Sequence, residues 1–259
     1  MNRFTVSLVG SGRVASALGN ELNRAGCRIE IIVSKSESKG CSLAERFNAT
    51  WSDKLIFPDS TEVVFVAVPD KNLKSVLGKI RCNTNTVVAH TAGSIGMDLF
   101  PETIVKKGVF YPLQTFSLNR RINFKNLPVF IEAADNESLK VLAGIAELLG
   151  SDIRYADTER RRMLHLAAVF VCNFTNHMLT TGQEIAVKAG YSLNDLKPLI
   201  EETILKAFEA GPEKSQTGPA VRNDKNTIRK HLDLLSFDPD LQRMYREISR
   251  SILKYHNRL

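Results

Sequence analysis

Residues 4–36 constrain the fold of this chain more than any other stretch. An apolar strand, Phe4-Thr5-Val6-Ser7-Leu8-Val9, runs directly into Gly10-Ser11-Gly12-Arg13-Val14-Ala15. That turn opens a helix through Ala17-Leu18-Gly19-Asn20-Glu21-Leu22, and a second apolar strand, Arg28-Ile29-Glu30-Ile31-Ile32-Val33, follows it. Strand, glycine turn, helix and strand in this order predict a βαβ unit able to hold a dinucleotide. Gly10 permits the tight turn, and Gly12 lets backbone N–H groups approach a pyrophosphate. Ala15 stands where helix meets sheet, in place of a third glycine. The pyrophosphate is then expected over the unpaired N–H groups of the helix start, between Ser11, Arg13 and Val14.

The same grammar continues through the first 156 residues. Short helices are read over 42–47 and 72–79, the first with Ser42 as N-cap and Glu45 three residues on. The run Thr61-Glu62-Val63-Val64-Phe65-Val66-Ala67-Val68 is apolar throughout, as a strand covered on both faces requires. Thr86-Val87-Val88-Ala89-His90-Thr91, Val109-Phe110-Tyr111, Pro128-Val129-Phe130-Ile131-Glu132 and Ile153-Arg154-Tyr155 read as further strands, with a helix over 138–149. Strands alternating with helices predict an α/β, doubly wound sheet. Near Ala156 the pattern changes and no further strand is read. One long helix is expected over 159–189. Ser192, Asp224 and Asp238-Pro239 open three more, and a polar loop spans 213–223. We therefore expect a nucleotide-binding domain over 1–156 and an all-helical substrate or dimerisation domain over 157–259.

Composition excludes several classes. The 259 residues carry a net charge of +7 and 24% charged residues. The basic excess is spread along the chain, and no nucleic-acid module accompanies it, so nucleic-acid binding is not expected. The densest basic run, Arg160-Arg161-Arg162, fits either a solvated helix start or a polyanion site. Cys27, Cys41, Cys82 and Cys172 lie far apart with no C-x-x-C pair, which speaks against a metal site and for free thiols in a reducing compartment. The apolar stretches are too short for a membrane span, and a soluble, cytoplasmic protein is expected.

The end of the second strand points to the cofactor. An NAD site carries an acidic residue there, about 20 residues past the glycines, whereas this chain has Ser34-Lys35-Ser36. Hydroxyls and a cation suit a 2′-phosphate, so NADP(H) is expected, with Arg13 as a further candidate; a lysine decorating a surface loop is the plainer alternative. Val68-Pro69-Asp70 and His90-Thr91 end two strands on the edge where open parallel sheets bind ligands. His90 could polarise a substrate or simply hydrogen-bond its loop, and Tyr111 to Phe116 could line the cleft or form a packed aromatic turn. Asn173, Asn176 and His177 share a face of the long helix amid apolar residues. An amide buried there needs a partner, either a ligand carboxamide or an internal hydrogen bond. His165 reads as structural. Arg222, ahead of a helix start, could clamp a carboxylate or pair with Asp224. His231 and Thr227 lie at helical spacing beside it.

Gly10-Ser-Gly-Arg-Val-Ala15, Val68-Pro69-Asp70, His90-Thr-Ala-Gly93, Tyr111-Pro-Leu-Gln-Thr-Phe116, Asn173-Phe174 and Gly218-Pro-Ala-Val-Arg222-Asn-Asp224 together resemble Rossmann-like proteins with a domain-of-unknown-function 2520 C-terminal half. That family is similar to the 6-phosphogluconate dehydrogenase-like superfamily, which includes ketopantoate and pyrroline-5-carboxylate reductases. The resemblance implies an NADP-binding domain, a helical domain that forms a homodimer, and a small-molecule substrate. One departure stands out. β-Hydroxyacid dehydrogenases of the superfamily carry a catalytic lysine shortly before an asparagine, and residues 168–172 contain none. The expected function is NADPH-dependent reduction of a small carboxylated carbonyl or imine, a ketopantoate-like 2-oxo acid first. Arg222 and Asn173 would orient the substrate, and His90, His231 or water would supply the proton. The alternative is a non-catalytic NADP(H)-binding sensor or scaffold.

Overall fold

The structure, a computed structural model, describes residues 4–117 and 120–257. Two compact units divide it, Met1–Asn176 and His177–Leu259. The first unit is built on β1 (Thr5–Val9), α1 (Arg13–Arg24), β2 (Arg28–Val33), α2 (Glu37–Phe47), β3 (Thr50–Ser52), β4 (Val63–Val66) and α3 (Asp70–Leu77). It continues with β5 (Val87–His90), a 3-10 turn (Met97–Leu99), β6 (Lys107–Pro112), β7 (Pro128–Ala133), α4 (Asn136–Leu148), β8 (Asp152–Tyr155) and α5 (Thr158–Ala168).

The eight strands form one sheet in the order β3-β2-β1-β4-β5-β6-β7-β8. Every pairing is parallel except β6 with β7, so β7 and β8 run against the rest. Alternation along each strand feeds two separate cores. Val63 and Phe65 of β4 join Val6, Leu8, Ala15, Leu18 and Leu142 on one face. Val64 and Val66 join Val9, Leu73, Leu77 and Val88 on the other. Apolar side chains on both faces are what a doubly covered sheet requires, and they explain the continuous apolar run read at this strand.

Several boundaries differ from the sequence reading. Helix α2 starts at Glu37 with Ser36 as its N-cap, five residues before the expected start at Ser42. Helix α3 starts at Asp70, so Pro69 rather than a later residue precedes it. The short β3 has no counterpart in the expected elements, because three residues are too few for periodicity to register.

The long helix expected over 159–189 is continuous but not uniform. Helix α5 passes through a π-helical turn, Val169–Phe174, into α6 (Thr175–Lys188), with right-handed helical backbone at both junctions. The second unit adds α7 (Leu193–Ala210), α8 (Pro212–Ser215), α9 (Lys225–Leu234) and α10 (Pro239–His256). Its helix starts are capped as the sequence indicates. Ser192 and Asp195 form a capping box on α7, Asp224 accepts from the Thr227 N–H at α9, and Asp238 accepts from the Asp240 and Leu241 N–H groups at α10. The loop expected at its start contains α8 instead, and Ser215 Oγ donates to the Lys206 and Gly211 carbonyls to fold it back on α7.

Candidate functional site

The C-terminal ends of β1, β2 and β4 enclose a cleft of about 470 Å³. Gly10 sits at its base with φ +116, a left-handed conformation that only glycine adopts without strain. A Cβ there would also run into the Ala67 carbonyl oxygen. Gly12 is the N-cap of α1 and leaves open space where a side chain would stand. No side chain caps α1, and no acidic residue stands in its first turn. The helix therefore presents uncapped N–H groups and the positive end of its dipole to the cleft, the arrangement that holds a phosphate. These features fit the pyrophosphate of a dinucleotide. Ala15 is fully buried where α1 meets the sheet, and Val14 is half-buried.

Around the rim, Ser34, Lys35 and Ser36 line the cleft, as do Lys39 of α2 and Lys79 just past α3. Ser34 is committed elsewhere: its hydroxyl donates to the Ser36 carbonyl at 2.8 Å and accepts from Trp51 Nε1 at 3.3 Å. Lys35 and Ser36 are exposed, and α2 begins directly after them. The cleft thus gathers three ammonium groups against one carboxylate, Asp53. Arg13 is exposed but borders a different hollow, with Arg46, Arg120 and Arg121. Lys39 and Lys79 went unread in the sequence. Lys39 stands in the first turn of α2, a position visible only once α2 is known to start at Glu37. A hollow of about 570 Å³ at the opposite sheet edge, lined by Arg28, Glu30 and Pro58, has neither glycine turn nor helix start.

Val68 and Pro69 form the far wall of the cleft. Asp70 follows, accepting a hydrogen bond from Ser94 Oγ at 2.5 Å. The Thr91 N–H donates to the Val66 carbonyl and ties the end of β5 to β4. His90 is 0% exposed, with its ring stacked on Phe100 at 5.4 Å. Its Nδ1 accepts from the Ala92 N–H at 3.2 Å, which leaves the proton on Nε2. Burial pushes its pKa down to about 3, the Arg161 charge adding to this and the Gly96 carbonyl working against it. His90 is a neutral imidazole folded into the loop, away from solvent.

Helix α5 is fastened to the loop after β5. Arg161, 0% exposed, pairs with Glu132 at 3.0 Å and donates to the Ile95 carbonyl at 2.7 Å. Arg162 Nε donates to the Ser94 carbonyl at 3.1 Å. The Arg160–Arg162 run is therefore neither a solvated helix start nor a polyanion site throughout. Its middle member is a buried strut whose Nε and Nη1 have no partner among the described residues. Burial lowers the Arg161 pKa and the Glu132 carboxylate opposes the shift.

This anchoring sets His165 against the end of β6. Tyr111 Oη and His165 Nδ1 are 3.0 Å apart, and Gly93 makes the approach possible: a Cβ there would lie 2.6 Å from Tyr111 Cζ and 2.8 Å from His165 Nδ1. Both rings are part-exposed. Burial raises the Tyr111 pKa. Arg161 lowers it, and Cys172 and Asp70 raise it further, so the phenol stands within electrostatic reach of the Pro69–Asp70 wall. His165, expected to be structural, and Tyr111, open between a cleft lining and a packed turn, thus meet across Gly93.

Asn173 lies in the π-helical turn, exposed, as are Asn176 and His177. The expectation of an amide buried among apolar residues is not met there: Phe170 and Phe174, edge to face at 4.9 Å, are themselves 59% and 48% exposed. In the second unit Arg222 is exposed and makes no ion pair within 4 Å among the described residues. Asp224 is occupied by Thr227 instead, whose N–H and hydroxyl donate to it and lower its pKa, the Arg222 charge contributing less. His231 Nδ1 is 2.7 Å from Tyr245 Oη. Among the described residues no group of three His, Cys, Asp or Glu side chains is arranged to hold a metal, and no helix is long and apolar enough to cross a membrane.

Comparison with known proteins agrees with this architecture. Residues 1–115 match the model for a Rossmann-like domain and residues 127–252 the model for a domain of unknown function, DUF2520. No curated protein sequence matches. A structure described as a putative NADP oxidoreductase from Bacteroides fragilis is 38% identical, covering 97% of this chain and 98% of its own, with a TM-score of 0.88. A Thermotoga maritima protein matches at 22% identity over 98% of both chains, TM-score 0.70. A reductive aminase from Aspergillus terreus, solved with NADPH and ethyl-5-oxohexanoate, shares the fold at 12% identity over 99% of this chain and 93% of its own, TM-score 0.66. With 38% identity sustained across nearly its whole length and both domain models matched in order, the chain belongs to the family that joins a Rossmann-like domain to DUF2520.

Proposed function

We propose that this protein is an NADP(H)-dependent oxidoreductase that reduces small carboxylated carbonyl or imine compounds, a ketopantoate-like 2-oxo acid being the first candidate. One observation carries the reading: the uncapped α1 N-terminus over the Gly10–Gly12 turn opens into a cleft rimmed by Lys35, Lys39 and Lys79. The description of the Bacteroides fragilis relative supports it. When bound, the reduced dinucleotide supplies a hydride, and the protein supplies binding, orientation and electrostatics. Backbone N–H groups at Ser11 to Val14 hold the pyrophosphate, and Val68 and Pro69 wall the cleft. Lys35, Ser36 and Lys39 take the 2′-phosphate, the α2 start adding its own N–H groups. Arg222 makes no ion pair within 4 Å among the described residues, and its planar guanidinium has the geometry to bind a carboxylate.

The reading is tested by turnover. The protein with NADPH and a panel of 2-oxo acids and cyclic imines is expected to oxidise the dinucleotide, and Arg222→Lys to raise KM more than it lowers kcat. Tight NADPH binding with no turnover on any member would favour the sensor, a reading that the lack of a lysine before Asn173 keeps open.

A homodimer through the helical unit is part of the proposal. Of its described residues only Ala220 and Leu235 are buried, while Phe208 is 88% and Leu199 66% exposed on α7. Apolar surface on this scale calls for a partner, and a second copy of the same unit meets the need. A monomer at micromolar concentration by light scattering would rule this out.

A further inference from the structure

We propose that Tyr111 is the proton donor of the reaction and that His165 holds its hydroxyl in place and reloads it. The inference rests on the reductase reading above and deepens it.

Reduction of a carbonyl or imine needs a proton as well as a hydride, and the sheet edge beside the cofactor cleft offers few groups to supply one. His90 is sealed from solvent with its Nδ1 engaged by the Ala92 N–H. The helix before Asn173 carries no ammonium group. Tyr111 stands one residue from the end of β6, on the same edge as the Gly10 turn and the Pro69 wall, part-exposed. Its hydroxyl lies 3.0 Å from His165 Nδ1, a proton-sharing distance.

Three independent features maintain this pair. Gly93 leaves room for it, as any Cβ would intrude between the two rings. Arg161 and Arg162 clamp α5 to the Ser94 and Ile95 carbonyls and so fix the helix that carries His165. The rings also pack edge to face at 6.0 Å. A structural histidine needs none of this solvent access.

The proton balance is simple. As the substrate carbon gains a hydride from the reduced dinucleotide, its oxygen or nitrogen takes the Tyr111 Oη proton, and the O–H electron pair stays on the phenolate. The Nδ1 proton of His165 passes to the phenolate oxygen as its Nε2 takes a proton from water, so the ring relays one solvent proton for each hydride transferred. The charged and titratable groups that face the phenol are Arg161 and His165 from α5, Cys172 from the π-helical turn and Asp70 from α3.

The test compares wild type with Tyr111→Phe, His165→Asn, His165→Ala and Gly93→Ala, measuring NADPH affinity by fluorescence, turnover on the panel of 2-oxo acids and cyclic imines, and, without cofactor, Tyr111 titration by 13C NMR at Cζ. Tyr111→Phe is expected to bind NADPH within about twofold of wild type and to lose kcat roughly 100-fold or more. His165→Asn should lower kcat and shift the Tyr111 titration. Added imidazole should restore part of the activity of His165→Ala, and Gly93→Ala should resemble the His165 variants. Wild-type turnover that survives Tyr111→Phe, or a Tyr111 titration unmoved by His165→Asn, overturns the inference and leaves the reductase reading intact. A wild type that binds NADPH and turns over nothing on the panel overturns both.

Discussion

The two units of this chain are stabilised in contrasting ways. The first buries apolar side chains on both faces of one sheet, with Val63 and Phe65 committed to one core and Val64 and Val66 to the other. The second caps α7, α9 and α10 with side chains, but among its described residues only Ala220 and Leu235 are buried. A complete core fixes backbone positions well enough to present Gly10, Gly12 and Pro69 as a preformed cradle. The helical unit carries large apolar side chains at its surface, Phe208 and Leu199 among them. The difference sets a cradle complete within one unit against helices whose exposed apolar residues the proposed homodimer would cover.

Four experiments bear on this contrast, the largest effect first. His90, neutral in the first unit, should make that unit acid-sensitive. Its folded pKa of about 3 lies below the ordinary value near 6.5, so the unfolded chain binds the proton first as pH falls. Its contribution is whole above roughly pH 6.5 and is lost toward pH 3, on the order of 4 kcal/mol in all. Denaturant titrations across that range should show a steeper loss for wild type than for His90→Asn. Equal slopes would mean that His90 is hydrated in the native state.

Glu132→Gln leaves Arg161 buried without its counter-charge and should cost roughly 3 kcal/mol, measured by urea unfolding at pH 7. It should also loosen the helix that carries His165. A loss within the range of surface substitutions, about 0.5 kcal/mol, would show that water reaches the guanidinium.

Phe208→Ser addresses the second unit. In an isolated copy it removes an exposed ring and should change stability by no more than about 0.5 kcal/mol. Across a dimer interface the same change should weaken association by roughly tenfold or more. Sedimentation of wild type and variant separates the cases, and an unchanged dissociation constant would remove Phe208 from the interface.

How much of this was legible in the sequence follows from the same contrast. The strands and the glycine turn could be read because a doubly covered sheet writes continuous apolar runs bounded by punctuation. The α7, α9 and α10 starts could be read because Ser192, Asp224 and Asp238 are local signals that need no tertiary context. The α2 start was missed: Ser34-Lys35-Ser36 reads as loop, and Ser38 and Gly40 are weak helix formers that only packing on the sheet overrides. Arg161 was misread because nothing local marks the middle of an arginine run for burial beside Glu132, 29 positions away. The Tyr111–His165 pair joins residues 54 positions apart through the bare backbone of Gly93, and no periodicity reports such a contact. Asn173 drew attention for an expected burial that its place in the π-helical turn does not provide.

The last of the four experiments bears most directly on the central claim, that the Gly10–Gly12 cradle with its lysine rim is an NADP(H) site. NADPH and NADH are titrated against wild type and Lys35→Asp. Wild type should bind NADPH at least about tenfold more tightly, equivalent to about 1.4 kcal/mol of selective contact, and Lys35→Asp should narrow or reverse that preference. Equal affinity for the two dinucleotides in wild type, or a preference untouched by Lys35→Asp, would contradict it.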